Sequence, residues 1–153
     1  MLTDSQHAAS LEVLLDIARD LTASLAASDR HSRLIAAVRR LIPCDAACLL
    51  RLDGNDLVPL AGYGLTAAAL SRRYPRREHP RLDVILNSRE PVRFPTDSAL
   101  PDPFDGAIAM APDPRHKVHA CLGCALTDGN AVVGALTADA LEPHQFDRLD
   151  PRD

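Results

Sequence analysis

The chain has no tryptophan, and aromatic residues of any kind make up 3% of its 153 residues. That scarcity counts against a haem or another flat ring system, which aromatic side chains commonly line. It also leaves a core to be built from Leu, Ile, Val and Ala. No apolar run approaches the roughly twenty residues of a membrane-spanning helix. The start is polar, with no basic stretch leading into an apolar one, so no secretory leader is expected. Positive charge is not in excess either, because the net charge is -4. Nucleic-acid phosphates are gripped by clustered Lys and Arg, so direct nucleic-acid binding by this segment is not expected. The run Arg72, Arg73, Arg76, Arg77 is short and reads as solvated surface. These absences together predict a cytoplasmic protein. There, four cysteines are expected as reduced thiols or metal ligands rather than disulfides.

What is present fits one domain spanning residues 1–153, with 46% hydrophobic and 25% charged residues, as in ordinary globular proteins. Leu11, Leu14, Leu15, Ala18, Leu21 and Leu25 recur at helical spacing, with Ser10 as an N-cap. A second helix is expected over Ser32 to Leu41, with Leu34, Ile35, Val38 and Leu41 facing inward. Asp29 or Ser28 would cap it and Pro43 end it. Two strands, Ala46 to Leu52 and Leu57 to Ala61, flank the turn Asp53-Gly54-Asn55-Asp56.

Eight of the twelve prolines lie between Pro75 and Pro114. Short helices are expected over Thr66 to Tyr74 and Arg81 to Asn87, and a short strand over Pro91 to Phe94. From Pro95 to Pro114 the prolines forbid a continuous ladder or helix. A loop of that length is usually functional or disordered, and this one carries Asp97, Asp102, Asp105 and Asp113. Two more strands, Lys117 to Thr127 and Val132 to Asp139, surround Asp128-Gly129-Asn130. Pro143 to Asp150 reads as the start of a helix. The order of elements describes an α+β domain with an antiparallel sheet.

The register of the last hairpin decides what it offers. With Gly129-Asn130-Ala131 as its loop, Asp128 pairs with Val132. Leu122, Cys124, Leu126, Leu136 and Ala138 then share a core face. Cys121, Gly123, Ala125, Thr127, Val133, Ala135, Thr137 and Asp139 share the other, a face of small residues with room for a buried ligand. Cys121 lies across from Asp139 in this register. The same alternation argues against reading Cys121-Leu122-Gly123-Cys124 as a zinc or redox CxxC, because strand positions three apart point to opposite faces. Cys124, Cys44 and Cys48 read as small buried hydrophobes.

Several blocks resemble the regulatory domain of the NorR-type activators that respond to nitric oxide. They are His79-Pro80-Arg81-Leu82, Val92-Arg93-Phe94-Pro95, Asp97-Ser98-Ala99-Leu100-Pro101-Asp102-Pro103-Phe104-Asp105-Gly106, Lys117-Val118-His119-Ala120-Cys121 and Gly134-Ala135-Leu136-Thr137-Ala138-Asp139. Weaker similarity covers the N-terminal helices and Cys44-Asp45-Ala46. The resemblance implies a GAF-like fold, with a central antiparallel β-sheet flanked by helices. It implies a sensor that holds mononuclear non-haem ferrous iron, binds NO, and relieves inhibition of an adjoining AAA+ ATPase in a sigma-54-dependent activator. The AAA+ and DNA-binding domains of such a protein are expected outside this chain.

The iron ligands implied by the resemblance are Asp102, Asp105, Cys121 and Asp139, with Arg81 as a further candidate. Carboxylates and a thiolate are suitable ferrous donors. A guanidinium stays protonated and has no lone pair to give, so Arg81 is expected to act as a neighbouring partner or gate. It would offset the negative charge of the ligand set. His119 shares the Cys121 face by alternation and is the substitute ligand if one carboxylate fails. Two other readings stand beside this one: a GAF domain that binds an organic small molecule, and a ligand-free dimerisation module using the leucines of the first helix. Homo-oligomerisation through that helix is expected in any case. No nucleophile–base pair accompanies the carboxylates, so an enzyme is not expected.

Overall fold

The computed structural model describes residues 3–22, 27–111 and 117–149. Its first helix, α1, spans Asp4–Thr22, so Ser10 lies inside it rather than at its cap. Thr3 is the cap. Its hydroxyl accepts the Gln6 N–H at 3.2 Å, and its own N–H donates to Gln6 Oε1 at 2.7 Å. This capping box satisfies two free helix-end donors at once. Val13 is buried, whereas Leu11, Leu14 and Leu15 are 58%, 61% and 49% exposed. Leu25 and the side chains of Ala18 and Leu21 lie outside the described residues.

Helix α2 spans Ala27–Leu41, which places Ser28 and Asp29 within it instead of at its cap. It buries Ile35, Ala37 and Val38, while Leu41 stays exposed. Ile42, just past the helix, packs inward in its place.

Strand β1 spans Ala46–Asp53 and β2 spans Asp56–Tyr63. After β2 come the four-residue helix α3, Ala67–Leu70, and the two-residue strand β3, Tyr74–Pro75. Thr66 caps α3, its hydroxyl accepting the Ala69 N–H. Helix α3 is shorter than expected because Tyr74 must pair with Leu57 of β2. Helix α4 spans Pro80–Leu86, starting with a proline whose fixed φ suits that place. Strands β4, Val92–Phe94, β5, Ala120–Asp128, and β6, Ala131–Ala140, complete the set. They form one antiparallel sheet in the order β3-β2-β1-β6-β5-β4.

The β5–β6 turn differs from expectation in an instructive way. Its loop is two residues, with Asp128 opposite Ala131 and Gly129 taking a left-handed φ of 61°. Such a loop would shift every partner by one. A bulge at Val133 restores the register, because Leu126 pairs with Gly134 and Thr127 with Val132. Cys121 therefore still faces Asp139. The residue left out, Val133, is exposed, as an unpaired bulge residue tends to be.

Both faces of the sheet are covered. On one, Ile35 and Val38 of α2 pack on Ala47 and Leu49, with Leu126 and Leu136 beside them. On the other, Leu82, Ile85 and Leu86 of α4 join Cys48, Leu50, Cys121 and Ala135. Few as they are, aromatics serve the core: Tyr74, Phe94 and Phe104 are buried in this second group, and Phe146 is buried with Ala120, Ala138 and Ala140. The expectation of a purely aliphatic core is corrected accordingly.

Ile85 occupies the space that a Cβ on Gly123 would fill, so the glycine lets α4 lie close on the sheet. The chain after β6 makes turns rather than the expected helix. His144 takes a left-handed φ of 66° there, which interrupts helical backbone. Arg93 ties this tail down by donating to the Phe146 carbonyl at 2.9 Å. Of the basic run, Arg72, Arg73 and Arg77 are exposed as expected. Arg76 is half-buried, paired with Asp83 at 2.6 Å and with Asn87.

Candidate metal centre

Three of the implied ligands meet beneath α4. Asp139 near the end of β6 and Cys121 in β5 are cross-strand partners on one face. Asp102 descends onto them from the loop between β4 and β5. One ligating atom from each lies within 4.8 Å of the others, and all three residues are buried.

The loop is built to deliver Asp102. Prolines 101 and 103 restrict its flanks. Asp102 Oδ1 accepts the Phe104 N–H at 2.8 Å, a local turn that fixes the carboxylate. Its Oδ2 accepts from Arg81 Nη1 at 3.1 Å. Arg81, in the first turn of α4, also donates from Nε to the Leu100 carbonyl at 2.8 Å. Its guanidinium carbon sits 5.0 Å from the centre of the Phe94 ring. The Arg81–Asp102 pair is buried on both sides. Removing either partner of a buried pair of this kind typically costs about 3–5 kcal/mol.

Asp105 and His119 stand outside the three-residue group. Both Asp105 oxygens are engaged by backbone: Oδ1 accepts the Val118 N–H at 2.7 Å and Oδ2 the Asp102 N–H at 3.1 Å. Asp105 thus fastens the loop to the approach of β5. His119 is half-buried. Its N–H donates to the Ala140 carbonyl at 2.9 Å, and its carbonyl accepts from the Thr96 hydroxyl.

Burial dominates the electrostatics. It pushes Asp139 well above the ordinary carboxyl range, and the nearby charge of Asp102 pushes it further. Cys121 is driven well above the ordinary thiol range, first by burial and then by the charges of Asp139 and Asp102. Asp102 is raised by burial too, against the opposing effects of the Phe104 N–H, Asp139 and Arg81. Without a cation, burial thus favours the protonated forms of Asp139 and Cys121, while Asp102 is the carboxylate that directly contacts Arg81.

Among the described residues, two buried side-chain oxygens have no hydrogen-bond partner, Asp139 Oδ1 and Thr137 Oγ1. An unpartnered buried carboxylate oxygen is costly, and a cation would satisfy it. Two carboxylates and a thiolate suit a divalent first-row metal of intermediate softness. The group therefore fits a metal on its chemistry as well as its spacing.

Alternation places Thr137 on the Asp139 face but gives it no role, and Cys48 is the small buried residue expected. The buried Cys48 thiol packs in the same core as Cys121, and burial pushes it up to about 12.

The two larger clefts described lie elsewhere. One, of about 550 Å³, is bounded by Arg39, Arg40, Cys44 and Gln145. The other, of about 510 Å³, is bounded by Asn55, Arg76, Arg77 and Asp83. An apolar hollow of about 120 Å³ lies among Val38, Ile42, Leu122 and Leu136, below the several hundred Å³ of ordinary organic-ligand pockets.

Known proteins show the same outline. Residues match "Anaerobic nitric oxide reductase transcription regulator NorR" of Citrobacter koseri at 47% identity over 139 residues, 90% of this chain and 27% of that protein. The Escherichia coli O1:K1 protein of the same name is 45% identical over 138 residues, again 90% and 27%. The chain thus spans about a quarter of the length of the curated relatives it matches. Among solved structures, the GAF domain from an Acinetobacter phosphoenolpyruvate-protein phosphotransferase superposes with a TM-score of 0.67 at 14% identity, covering 93% of this chain and 80% of that one. That likeness concerns the fold alone. With the GAF domain family model matching residues 10–152, and a six-stranded antiparallel sheet sandwiched between helices, the chain belongs to the GAF domain family.

Proposed function

We propose that this GAF domain is the nitric-oxide sensor of a transcription regulator and holds one non-haem ferrous ion on Asp102, Cys121 and Asp139. The buried carboxylate–thiol–carboxylate group carries this reading. The regulators it resembles are named for nitric oxide reductase, and nitric oxide, the molecule that enzyme consumes, is the signal in this reading. When bound, ferrous iron supplies a centre with affinity for a diatomic gas. Two carboxylates and a thiolate bring three negative charges, and the ion with Arg81 brings three positive ones. The centre is then neutral, which limits the cost of burying it. Asp105 keeps its place as a fastener of the loop, and His119 is not needed as a substitute.

Arg81 is the gate in this reading. It joins α4 to the Asp102 loop through Leu100 and Asp102. Any change in what Asp102 binds alters that grip. The outer side of α4, with the exposed Val84 and the Arg76–Asp83 pair, then shifts before its neighbour. That neighbour is an AAA+ ATPase supplied by the rest of the protein, whose activity the resting domain inhibits. The exposed leucines of α1 pair this domain with a second copy. The buried polar centre, and the small volume of the apolar hollow, favour this reading over an organic ligand.

Electron paramagnetic resonance tests it, on the anaerobically iron-loaded domain before and after NO, with Cys121→Ala and Asp102→Ala alongside. The expected result is a new signal on adding NO, because an odd-electron gas turns an even-electron ferrous centre into an odd-electron one. The variants should lose or reshape it. No signal from a folded domain with confirmed iron would overturn the sensor.

A further inference from the structure

The second unpartnered oxygen, Thr137 Oγ1, has no part in the ligand set. Thr137 is 2% exposed, and its hydroxyl bonds to nothing. It lies two residues before Asp139 on β6, so both side chains leave the same face, about 7 Å apart along the strand. Its cross-strand neighbours make no bond with it. Gly123 has no side chain, and the Cys48 thiol is turned to the Leu49 carbonyl. Strand carbonyls do not help either, because β6 is paired on both sides, by β1 and β5. A buried unpaired hydroxyl costs about 1–3 kcal/mol, and valine would fill the same shape without that cost.

We propose that the Thr137 hydroxyl is the hydrogen-bond donor of the metal pocket, positioning a small polar ligand that enters beside Asp139. Resting on the sensor reading, the ligand is NO. A hydroxyl one strand repeat from a carboxylate of the candidate group would stand beside a bound ion rather than ligate it. From there it acts on what the ion binds and leaves the ion's own ligands unchanged. Ile85 packs over Gly123, the cross-strand partner of Thr137, so only a small ligand would fit beside the hydroxyl.

Infrared spectroscopy of the NO-treated, iron-loaded domain tests the role, on the parent, Thr137→Val and Thr137→Ser, each in H₂O and D₂O. The N–O stretch of the parent should shift in D₂O. In T137V the stretch should move from the parent's position and lose its D₂O sensitivity, and NO should bind roughly threefold to tenfold more weakly. T137S should restore the parent's behaviour. Iron uptake should be equal in all three. Melting of the metal-free proteins completes the test: T137V should melt no lower than the parent, because the hydroxyl it loses has no partner. A stretch identical in parent and T137V overturns the Thr137 role and leaves the sensor intact. A T137V that melts well below the parent or fails to fold shows a structural hydroxyl and overturns the role too. A parent that loads iron yet shows no N–O stretch, or loads none, overturns the sensor and this role together.

Discussion

Asp139 is a buried carboxyl with one unpartnered oxygen, a liability in the metal-free fold that the proposed ion would relieve. Its folded pKa is raised by burial, above the roughly 3.9 of an unfolded aspartate. The folded state therefore binds more protons there. That stabilising contribution is complete below about pH 4 and is lost as pH rises through the folded value. Asp102 acts in the same direction, whereas Cys121, an ordinary thiol when unfolded, adds nothing in the window from pH 4 to 8. The metal-free domain should lose stability from pH 5 to pH 8. Asp139→Asn should flatten that fall and melt several degrees higher at pH 8, at about 2–4 °C per kcal/mol for a domain of this size. The same variant should lose the gain in melting temperature that added metal gives the parent. Differential scanning calorimetry with and without zinc checks both. An Asn variant that falls as steeply as the parent would place the pH sensitivity elsewhere.

The residues of the centre were unevenly legible. Cys121 facing Asp139 followed from apolar alternation along two strands, and the bulge at Val133 preserved it. Asp105 was not legible. An aspartate three residues from another in a proline-rich loop has the same spacing whether it turns toward an ion or caps backbone N–H groups, and here it caps two. Thr137 was on the expected face, yet being without a partner is a property of its surroundings and leaves no trace in spacing.

At the scale of elements, the close seating of α4 matters most. Gly123 admits Ile85, and this sets how far Arg81 stands from the sheet. Gly123→Ala should push α4 outward and cost about 1–3 kcal/mol, as overpacking generally does. Ile85→Ala should recover part of that loss in the double variant, although it costs about 2–5 kcal/mol alone. Urea unfolding of the four proteins as a double-mutant cycle measures the coupling. Strict additivity would mean that α4 rests on other contacts. The helices illustrate a second limit of sequence reading. The leucine spacing marked α1, but its start was set by Thr3 and Gln6, outside the apolar stripe. The tail reads as helical in composition, and only the left-handed backbone at His144 shows that it turns away.

For the whole molecule, the exposed leucines of α1 are the prominent apolar surface. Leu11, Leu14 and Leu15 lie on the side away from the buried Val13. If they pair two copies, Leu14→Glu should shift the domain toward monomer in sedimentation equilibrium by at least tenfold in dissociation constant. Iron uptake should be unaffected, because the centre lies on the opposite face of the sheet from α2, the helix on which α1 packs. An unchanged dissociation constant would remove α1 from the interface.

The buried Arg81–Asp102 pair has a consequence for how a signal leaves such a centre. With protons on Asp139 and Cys121, Arg81 and Asp102 cancel. If Asp139 and Cys121 keep their protons until the proposed divalent ion binds, two protons leave as two positive charges arrive. Loading of the proposed centre would then be an electroneutral exchange, and an uncharged gas would add no charge afterwards. Remote surfaces see almost no change of field in any of these states. In the proposed sensor, what the domain reports would then travel as displacement, through the guanidinium that joins one helix to one loop. Such a message is indifferent to salt and sensitive to packing.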